Sequence, residues 1–287
     1  MNGGQGMSVI GVIGAGVMGG GVASCLAEFG QKVVLYDISE QAIQCAQTNI
    51  RTNLRMRRLF VPTGSQLPDS DLIENITFTT NSSMLSQASV VIENVTEDWE
   101  VKKEVYQMLN IHCQPTCMFL ANTSCISITR ISALMDRPDL VIGAHFMNPV
   151  HLKNTVEVIK GYHTSQDCIN NTEALLKSIN KTMVLVEDMP GFVSNRISHL
   201  FMNEAAFVVQ DQVAKPEQVD EIFRSCYGHA MGPLETADLI RLDTVVNSLN
   251  VLYASYQDSK YRVCPLLQKM VDAGLYGKKS GQGFYQY

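Results

Sequence analysis

His145 leaves the apolar run at 141–144 and opens His145-Phe146-Met147-Asn148-Pro149. An imidazole titrates near neutrality, which suits it to act as a general base. A purely structural histidine is the other reading of the isolated residue. Glu157 is the lone carboxylate in Thr155-Val156-Glu157-Val158-Ile159. Burying a carboxylate in such a strand is costly unless it has a partner. An imidazole N–H would supply one and would also orient the ring; a strand with one edge facing water is the alternative. Asn122-Thr123-Ser124 directly follows the expected strand 118–120, and the C-terminal ends of strands are where doubly wound sheets bind ligands. The same three residues also suit a helix cap for a segment starting at Ile126. Asn195 opens a later helical region within Phe192-Val193-Ser194-Asn195-Arg196. Its amide could reach a substrate carbonyl, or make a capping or inter-domain hydrogen bond.

A second group of residues reads as a nucleotide site. Gly14-Ala15-Gly16-Val17-Met18-Gly19 is a GxGxxG run that follows an apolar strand and opens a helix. In that setting the first glycine makes a tight turn and the second lets the backbone approach a pyrophosphate. The third lets helix and strand pack closely. The N–H groups and positive dipole end of the helix then face the phosphates. Asp37 ends the next strand, where an acid binds the adenosine ribose hydroxyls. Ile38, Ser39 and Glu40 follow; none is a cation able to hold a 2′-phosphate, so NAD is expected rather than NADP. Gly14, Gly16, Val17, Met18, Gly19 and Asp37, with Asn122 at its strand end, are the candidate cofactor contacts. Without their context the same residues are a Gly-rich turn and a surface aspartate.

These groups need a sheet to hold them. Apolar runs at 9–13, 32–36, 76–78, 90–92, 118–120, 141–144, 156–159 and 183–186 read as strands, and 17–29 and 39–59 as helices. Strand–helix alternation implies a parallel sheet covered by helices. Residues 60–71, with two prolines and a glycine, read as a surface loop. Beyond Pro190-Gly191 no convincing strand remains. Ile197, Leu200, Phe201 and Val208 share one helical face. Lys215-Pro216 starts a further helix, with Gly228 past its end. Residues 234–256 and 265–273 support two more. The expected fold is α/β, a Rossmann-type doubly wound sheet over 1–189 followed by an all-helical C-terminal domain over 190–287. The long apolar faces of that second domain point to a dimer interface.

Composition narrows the classes. A chain of 287 residues fits two domains. Its net charge of −6, without a basic stripe, argues against nucleic acid as a partner. No run approaches the ~18 apolar residues of a membrane helix. The eight cysteines are scattered without a CxxC pair, as in a reduced cytoplasmic protein. His112, Cys113 and Cys117 lack the second half of a metal site, so no metal is expected. The start of the chain has neither the apolar core of a signal peptide nor the pattern of a transit peptide.

Taken together the sequence resembles the 3-hydroxyacyl-CoA dehydrogenase family over nearly all of its length. The resemblance rests on Gly14–Gly19, Asn122-Thr123-Ser124, His145–Val150 with Glu157, and Asp188-Met189-Pro190-Gly191-Phe192 with Asn195-Arg196. Met231-Gly232-Pro233-Leu234-Glu235 and Gly281-Gln282-Gly283-Phe284-Tyr285 complete it. It implies NAD-dependent, reversible oxidation of a 3-hydroxyacyl thioester, with His145 as base and Glu157 holding the imidazole. Ser124 would hydrogen-bond the reacting oxygen, and Asn195 would fix the acyl group. Glu97 and Lys102 match family positions near the cofactor; a helix start with a surface ion pair is the plainer reading of both. Homodimers through the helical domain are implied as well.

The stretch 53–68 departs from the pattern expected for free coenzyme A. Asn53 and Phe60 stand near places where a serine and a lysine are usual, and Arg55, Arg57 and Arg58 either replace the lost cation or form a solvated face. His151 and Asn154 are polar beside the catalytic strand. The thioester carrier is therefore coenzyme A or, as in polyketide-pathway relatives, acyl carrier protein. Two other classes fit less well. A non-catalytic, lens-crystallin-like NAD-binding protein leaves the intact Ser124, His145, Glu157 and Asn195 without a purpose. A β-hydroxyacid dehydrogenase needs a lysine that 191–209 lacks.

Overall fold

Five apolar residues, Val9–Ile13, form β1, and Gly16 caps the helix that follows, α1 (Val17–Glu28). The structure, a computed structural model, describes residues 9–60 and 69–287, with side chains described outside 53–71. The chain continues through β2 (Lys32–Tyr36), α2 (Glu40–Phe60), α3 (Asp69–Glu74), β3 (Ile76–Thr79) and β4 (Ala88–Glu93). Then come α4 (Trp99–His112), β5 (Met118–Ala121), α5 (Ile128–Ser132), β6 (Val141–His145), β7 (Thr155–Lys160), α6 (Gln166–Ser178) and β8 (Thr182–Glu187). The expected loop at 60–71 lies largely outside the described residues, and Asp69 already begins α3.

The eight strands form one sheet in the order β3-β2-β1-β4-β5-β6-β7-β8. The order reverses between β1 and β4, and the crevice at such a switch point is where doubly wound sheets bind ligands. One pairing corrects the expectation of a parallel sheet: β6 and β7 run antiparallel, with His145 opposite Glu157. Only residues 146–154 join these strands, which is too short for the crossover that a parallel pair requires. Ile10, Val12, Leu35, Ile92, Leu120 and Ile142 are buried in the main apolar cluster of this unit. Their strands are covered on both faces, so they read as continuous apolar runs.

The chain divides into two units, Met1–Asp188 and Met189–Tyr287. The second contains α7 (Ser194–Gln210), α8 (Pro216–Tyr227), α9 (Pro233–Ile240), α10 (Leu242–Tyr256) and α11 (Pro265–Asp272). It has no strand among the described residues, only isolated bridges near its end. The single helix expected over 234–256 is two, broken at Arg241, whose φ of 85° leaves the helical region. The buried positions of α7 are His199, Met202, Asn203, Ala205 and Ala206; of the residues that share a face by spacing, Val208 packs against this core whereas Ile197 is exposed. Asp220 and Asp238 are buried in this unit. Asp220 accepts from the N–H groups of Leu234 and Glu235 and from the Tyr285 hydroxyl. Asp238 accepts from the N–H groups of Phe284 and Tyr285 and from the Tyr287 hydroxyl, and so ties the last residues to α9. No helix among the described residues is long and apolar enough to cross a membrane.

Candidate active site

The glycine turn is built by contact limits. Gly14 has φ 88° and would place a Cβ 2.6 Å from the Asn94 carbonyl oxygen. A Cβ on Gly19 would lie 1.8 Å from the Gly14 carbonyl oxygen. Both positions exclude any side chain, and the turn can therefore fold tightly against the end of β4. At the start of α1 neither a side-chain cap nor an acidic residue competes for the opening N–H groups, which leaves them to an anion. Asp37 accepts from Ala15 N (2.8 Å) through Oδ2 and from Ser39 N (2.9 Å) through Oδ1, and so braces the turn from the end of β2. A cleft of about 460 Å³ opens between these elements, lined by Gly14, Gly16, Asp37, Ile38, Asn94 and Val105 among others. An elongated dinucleotide suits it: apolar walls beside Ile38, a carboxylate for the ribose, and unpaired helix N–H groups for the pyrophosphate. Val17 is exposed at the helix start, while Met18 packs against the core.

The antiparallel register carries the second half of the site. Opposed residues on neighbouring strands project to the same face, and both side chains here are buried. His145 Nδ1 lies 3.1 Å from Glu157 Oε2 and Nε2 lies 3.2 Å from Ser124 Oγ. A carboxylate can only accept, so Nδ1 carries the proton and Nε2 is the acceptor of the Ser124 hydroxyl. The result is a proton acceptor with a fixed tautomer, held by a buried carboxylate. Residues 156–159 are all buried, which removes the reading of a half-wet strand.

Ser124 is set by the turn it sits on. Glu97 Oε1 accepts from Ser124 N (3.0 Å), Cys125 N (2.8 Å) and Ile126 N (3.3 Å), and from the Thr123 hydroxyl. Asn122 donates its side-chain amide to Asn94 Oδ1 (2.6 Å) and accepts from Phe146 N (3.1 Å). Both ends of that amide thus bond to the ends of β4 and β6, and Asn122 straps the strand ends. Thr123 makes the capping-type bond expected here, accepting from Ile126 N at 3.1 Å, while α5 itself starts later with Ser127 as its N-cap.

Lys102 departs from the plainer of its two readings, the surface ion pair. It is 0% exposed and forms no surface ion pair. Its Nζ lies 2.8 Å from both carboxylate oxygens of Glu93 and 3.8 Å from Glu97 Oε2. Glu93, 1% exposed at the end of β4, also accepts from Val95 N (2.7 Å) and the Tyr106 hydroxyl (3.3 Å). Burial pushes the Glu93 carboxyl above its usual range against the pull of Lys102. Burial and then the Glu93 charge push the Tyr106 hydroxyl well up, so it stays a donor. Sequence reading missed Glu93, although the signal was the one used for Glu157: a lone acid closing an apolar strand. Asn195, the remaining candidate, lies at the start of α7 in the second unit, where its carbonyl oxygen accepts from His199 Nδ1 at 2.9 Å. Cys113 and Cys117 are buried, and no group of three potential metal ligands occurs among the described residues.

Models of two domain families match this chain: 3-hydroxyacyl-CoA dehydrogenase, NAD binding domain, over residues 9–189, and 3-hydroxyacyl-CoA dehydrogenase, C-terminal domain, over 191–287. A probable 3-hydroxybutyryl-CoA dehydrogenase of Bacillus subtilis is 41% identical, covering 96% of each chain. A 3-hydroxybutyryl-CoA dehydrogenase of Clostridioides difficile is 40% identical over 96% of this chain and 98% of its own. The crystal structure of (S)-3-hydroxybutyryl-CoA dehydrogenase from Ralstonia eutropha matches with a TM-score of 0.92 at 36% identity, covering 98% of this chain and 99% of that one.

Proposed function

The chain belongs to the 3-hydroxyacyl-CoA dehydrogenase family, and on that premise we propose that it interconverts a short-chain 3-hydroxyacyl-CoA and its 3-ketoacyl-CoA with NAD, His145 being the general base. The observation that carries the assignment is the buried chain of hydrogen bonds from Ser124 through His145 to Glu157. When bound, NAD supplies the acceptor for the hydride. The remaining work falls to the protein's own groups. Nε2 takes the hydroxyl proton, and the imidazolium that forms is stabilised by a now charge-assisted bond from Nδ1 to Glu157. In the reverse direction Nε2 returns that proton to the ketone oxygen. A placed base of this kind contributes ~10²–10⁴-fold. The Ser124 hydroxyl, 3.2 Å from Nε2, holds the reacting oxygen against the base, and the Asn195 amide fixes the acyl group.

Coenzyme A is the proposed carrier and a four-carbon acyl group the proposed chain, because the similar proteins named above are 3-hydroxybutyryl-CoA dehydrogenases. The acyl-carrier-protein reading rested mainly on residues 53–68, whose side chains lie outside the described residues. Pairing of two copies through the helical unit is part of the same proposal, supported by exposed Ile222, Tyr227, Val251 and Tyr253. A cytoplasmic setting agrees with eight unbridged cysteines. The test is reduction of acetoacetyl-CoA by the purified protein, followed through the nicotinamide absorbance, with NADH beside NADPH and the coenzyme A thioester beside the carrier-protein thioester. Fast turnover of the coenzyme A substrate with NADH is expected. A preference for NADPH would overturn the ribose argument, and a preference for the carrier protein would overturn the choice of carrier.

A further inference from the structure

Lys181 stands between α6 and β8 and is only 5% exposed. Its backbone is fixed by the end of α6: Asn180 takes the left-handed conformation, φ 56°, and Lys181 N donates to Leu176 O at 2.8 Å. The side chain then runs inward. Its Nζ donates to Val150 O at 2.7 Å and to Lys153 O at 2.8 Å, and no carboxylate lies within ion-pair distance of it among the described residues. A buried ammonium without a counter-charge is costly. What it supplies is donors. Neither carbonyl has a backbone N–H donor among the described residues, and a buried carbonyl left without one is costly as well. Both carbonyls belong to the 146–154 connection, which joins the two strands of the His145–Glu157 pair. The next residue is held in the same place, with Thr182 N donating to Asn154 O at 2.7 Å. From there Thr155 lies beside Thr182 and Glu157 beside Val184, in register with β8. At the other end of the connection Asn122 Oδ1 holds Phe146 N. In between, Val150 is buried against the helix that follows the glycine turn: a Cβ on Gly21 would lie 3.2 Å from Val150 Cγ2.

We propose that Lys181 is a positioning residue: its buried ammonium clasps the 150–154 segment to the start of β8, and the clasp fixes the alignment of β6 and β7 that sets Glu157 opposite His145. A connection as long as 146–154 does not impose a strand register by its length, and a slip of one residue would turn Glu157 to the other face of the sheet. The clasp acts two residues before β7 brings Glu157 to the imidazole. One flexible stem delivers several donors to two carbonyls that no strand partner serves. The kinetic consequence rests on the dehydrogenase reading, whereas the geometry does not.

The experiment is a double-mutant cycle on the full chain, with Lys181→Met, Glu157→Gln and the two together. Methionine keeps much of the lysine stem and removes the donors. Stability in urea, KM and kcat with acetoacetyl-CoA are read on each variant. Misplacing a reacting group by about 1 Å costs up to ~10²-fold. Lys181→Met is therefore expected to lose on the order of 10–100-fold in kcat with KM nearly unchanged. Residues that act through one contact are not additive, so the double variant is expected within about threefold of the weaker single variant. Losses that multiply would mean that Lys181 acts independently of the pair, and lost stability with kcat retained would make the clasp merely structural. Either result overturns the proposal. Thr172→Val removes another buried hydrogen bond of the same unit, the one to Cys168 O, and is expected to keep the wild-type kcat. An equal loss of kcat there would show that turnover follows stability alone, which also overturns it. Should Lys181→Met fail to fold, Lys181→Arg carries the cycle: it keeps donors but forces a longer head into the clasp, and a wild-type kcat contradicts the claim. NMR of isotope-labelled histidine supplies a readout that needs no substrate, with His145 assigned from its variant. A His145 Nδ1 resonance displaced in the Lys181 variant towards its position in Glu157→Gln supports the link, and an unmoved one refutes it. If the wild type fails to turn over acetoacetyl-CoA, the functional reading falls and this resonance still decides the positioning claim.

Discussion

At the scale of single residues, the division of labour rests on which atoms are already engaged. His145 has one nitrogen committed to Glu157 and one turned to Ser124, so Glu157 orients the ring and, on the proposal that His145 is the base, stabilises the charge formed during proton transfer. Glu157→Gln keeps the shape but removes the charge, and it is expected to lower kcat on the order of 10–100-fold with little change in KM. Steady-state kinetics check this; a loss confined to KM would place Glu157 in substrate binding. Asp37 holds the glycine turn through Ala15 N and is the acid nearest the expected ribose. Asp37→Ala is expected to weaken NADH binding by about 10–100-fold, as loss of charged hydrogen bonds worth ~1.5–3 kcal/mol implies. Titration of NADH fluorescence measures it, and unchanged affinity would remove Asp37 from the cofactor site.

At the scale of elements, the strands are legible in the sequence, and so are their directions except at β6 and β7. Each of the eight strands is a short apolar run, and covering both faces of the sheet is what makes the runs continuous. The reversal of β7 depends on how far residues 146–154 must reach, which hydrophobic pattern alone does not encode. Yet that reversal is what puts Glu157 opposite His145. The cost of an unpartnered acid points to the pair from sequence, and the antiparallel register supplies the geometry that produces it. Lys102 shows the reverse case: the sequence offered a family position near the cofactor or, more plainly, a helix-surface pair with Glu97, and burial against Glu93 appears only in three dimensions. The break at Arg241 was hidden for a similar reason, since 234–256 carries no proline or glycine after Pro233 to mark it. The most exacting junction is β1 to α1. With its Cβ 1.8 Å from the Gly14 carbonyl oxygen, Gly19→Ala must push the helix off the turn. Overpacking of this kind costs typically ~1–3 kcal/mol, so lower thermal stability and loss of NADH binding are expected together. A variant with wild-type NADH affinity would show that the turn is not built by this contact.

At the scale of the whole molecule, the two units stand on different supports. The first is a sheet whose strand ends carry the glycine turn and the His145–Glu157 pair. The second is a helical unit closed by its own last residues, which fold back onto the buried Asp238. Asp238→Ala leaves two backbone N–H groups and a tyrosine hydroxyl without their acceptor, at an expected cost of about 2–4 kcal/mol. Urea denaturation of the full chain tests this, and a change below about 0.5 kcal/mol would mean that the closing segment is held by other contacts. The proposed chemistry turns on His145 as the base of an NAD-dependent dehydrogenase. The measurement that tests it most directly is acetoacetyl-CoA reduction by wild type and by His145→Ala, with NADH affinity determined on the same samples. Rapid reduction by wild type, a kcat lower by ~10²–10⁴-fold in the variant, and NADH affinity unchanged within about threefold are expected. Wild-type turnover retained by His145→Ala would contradict that chemistry.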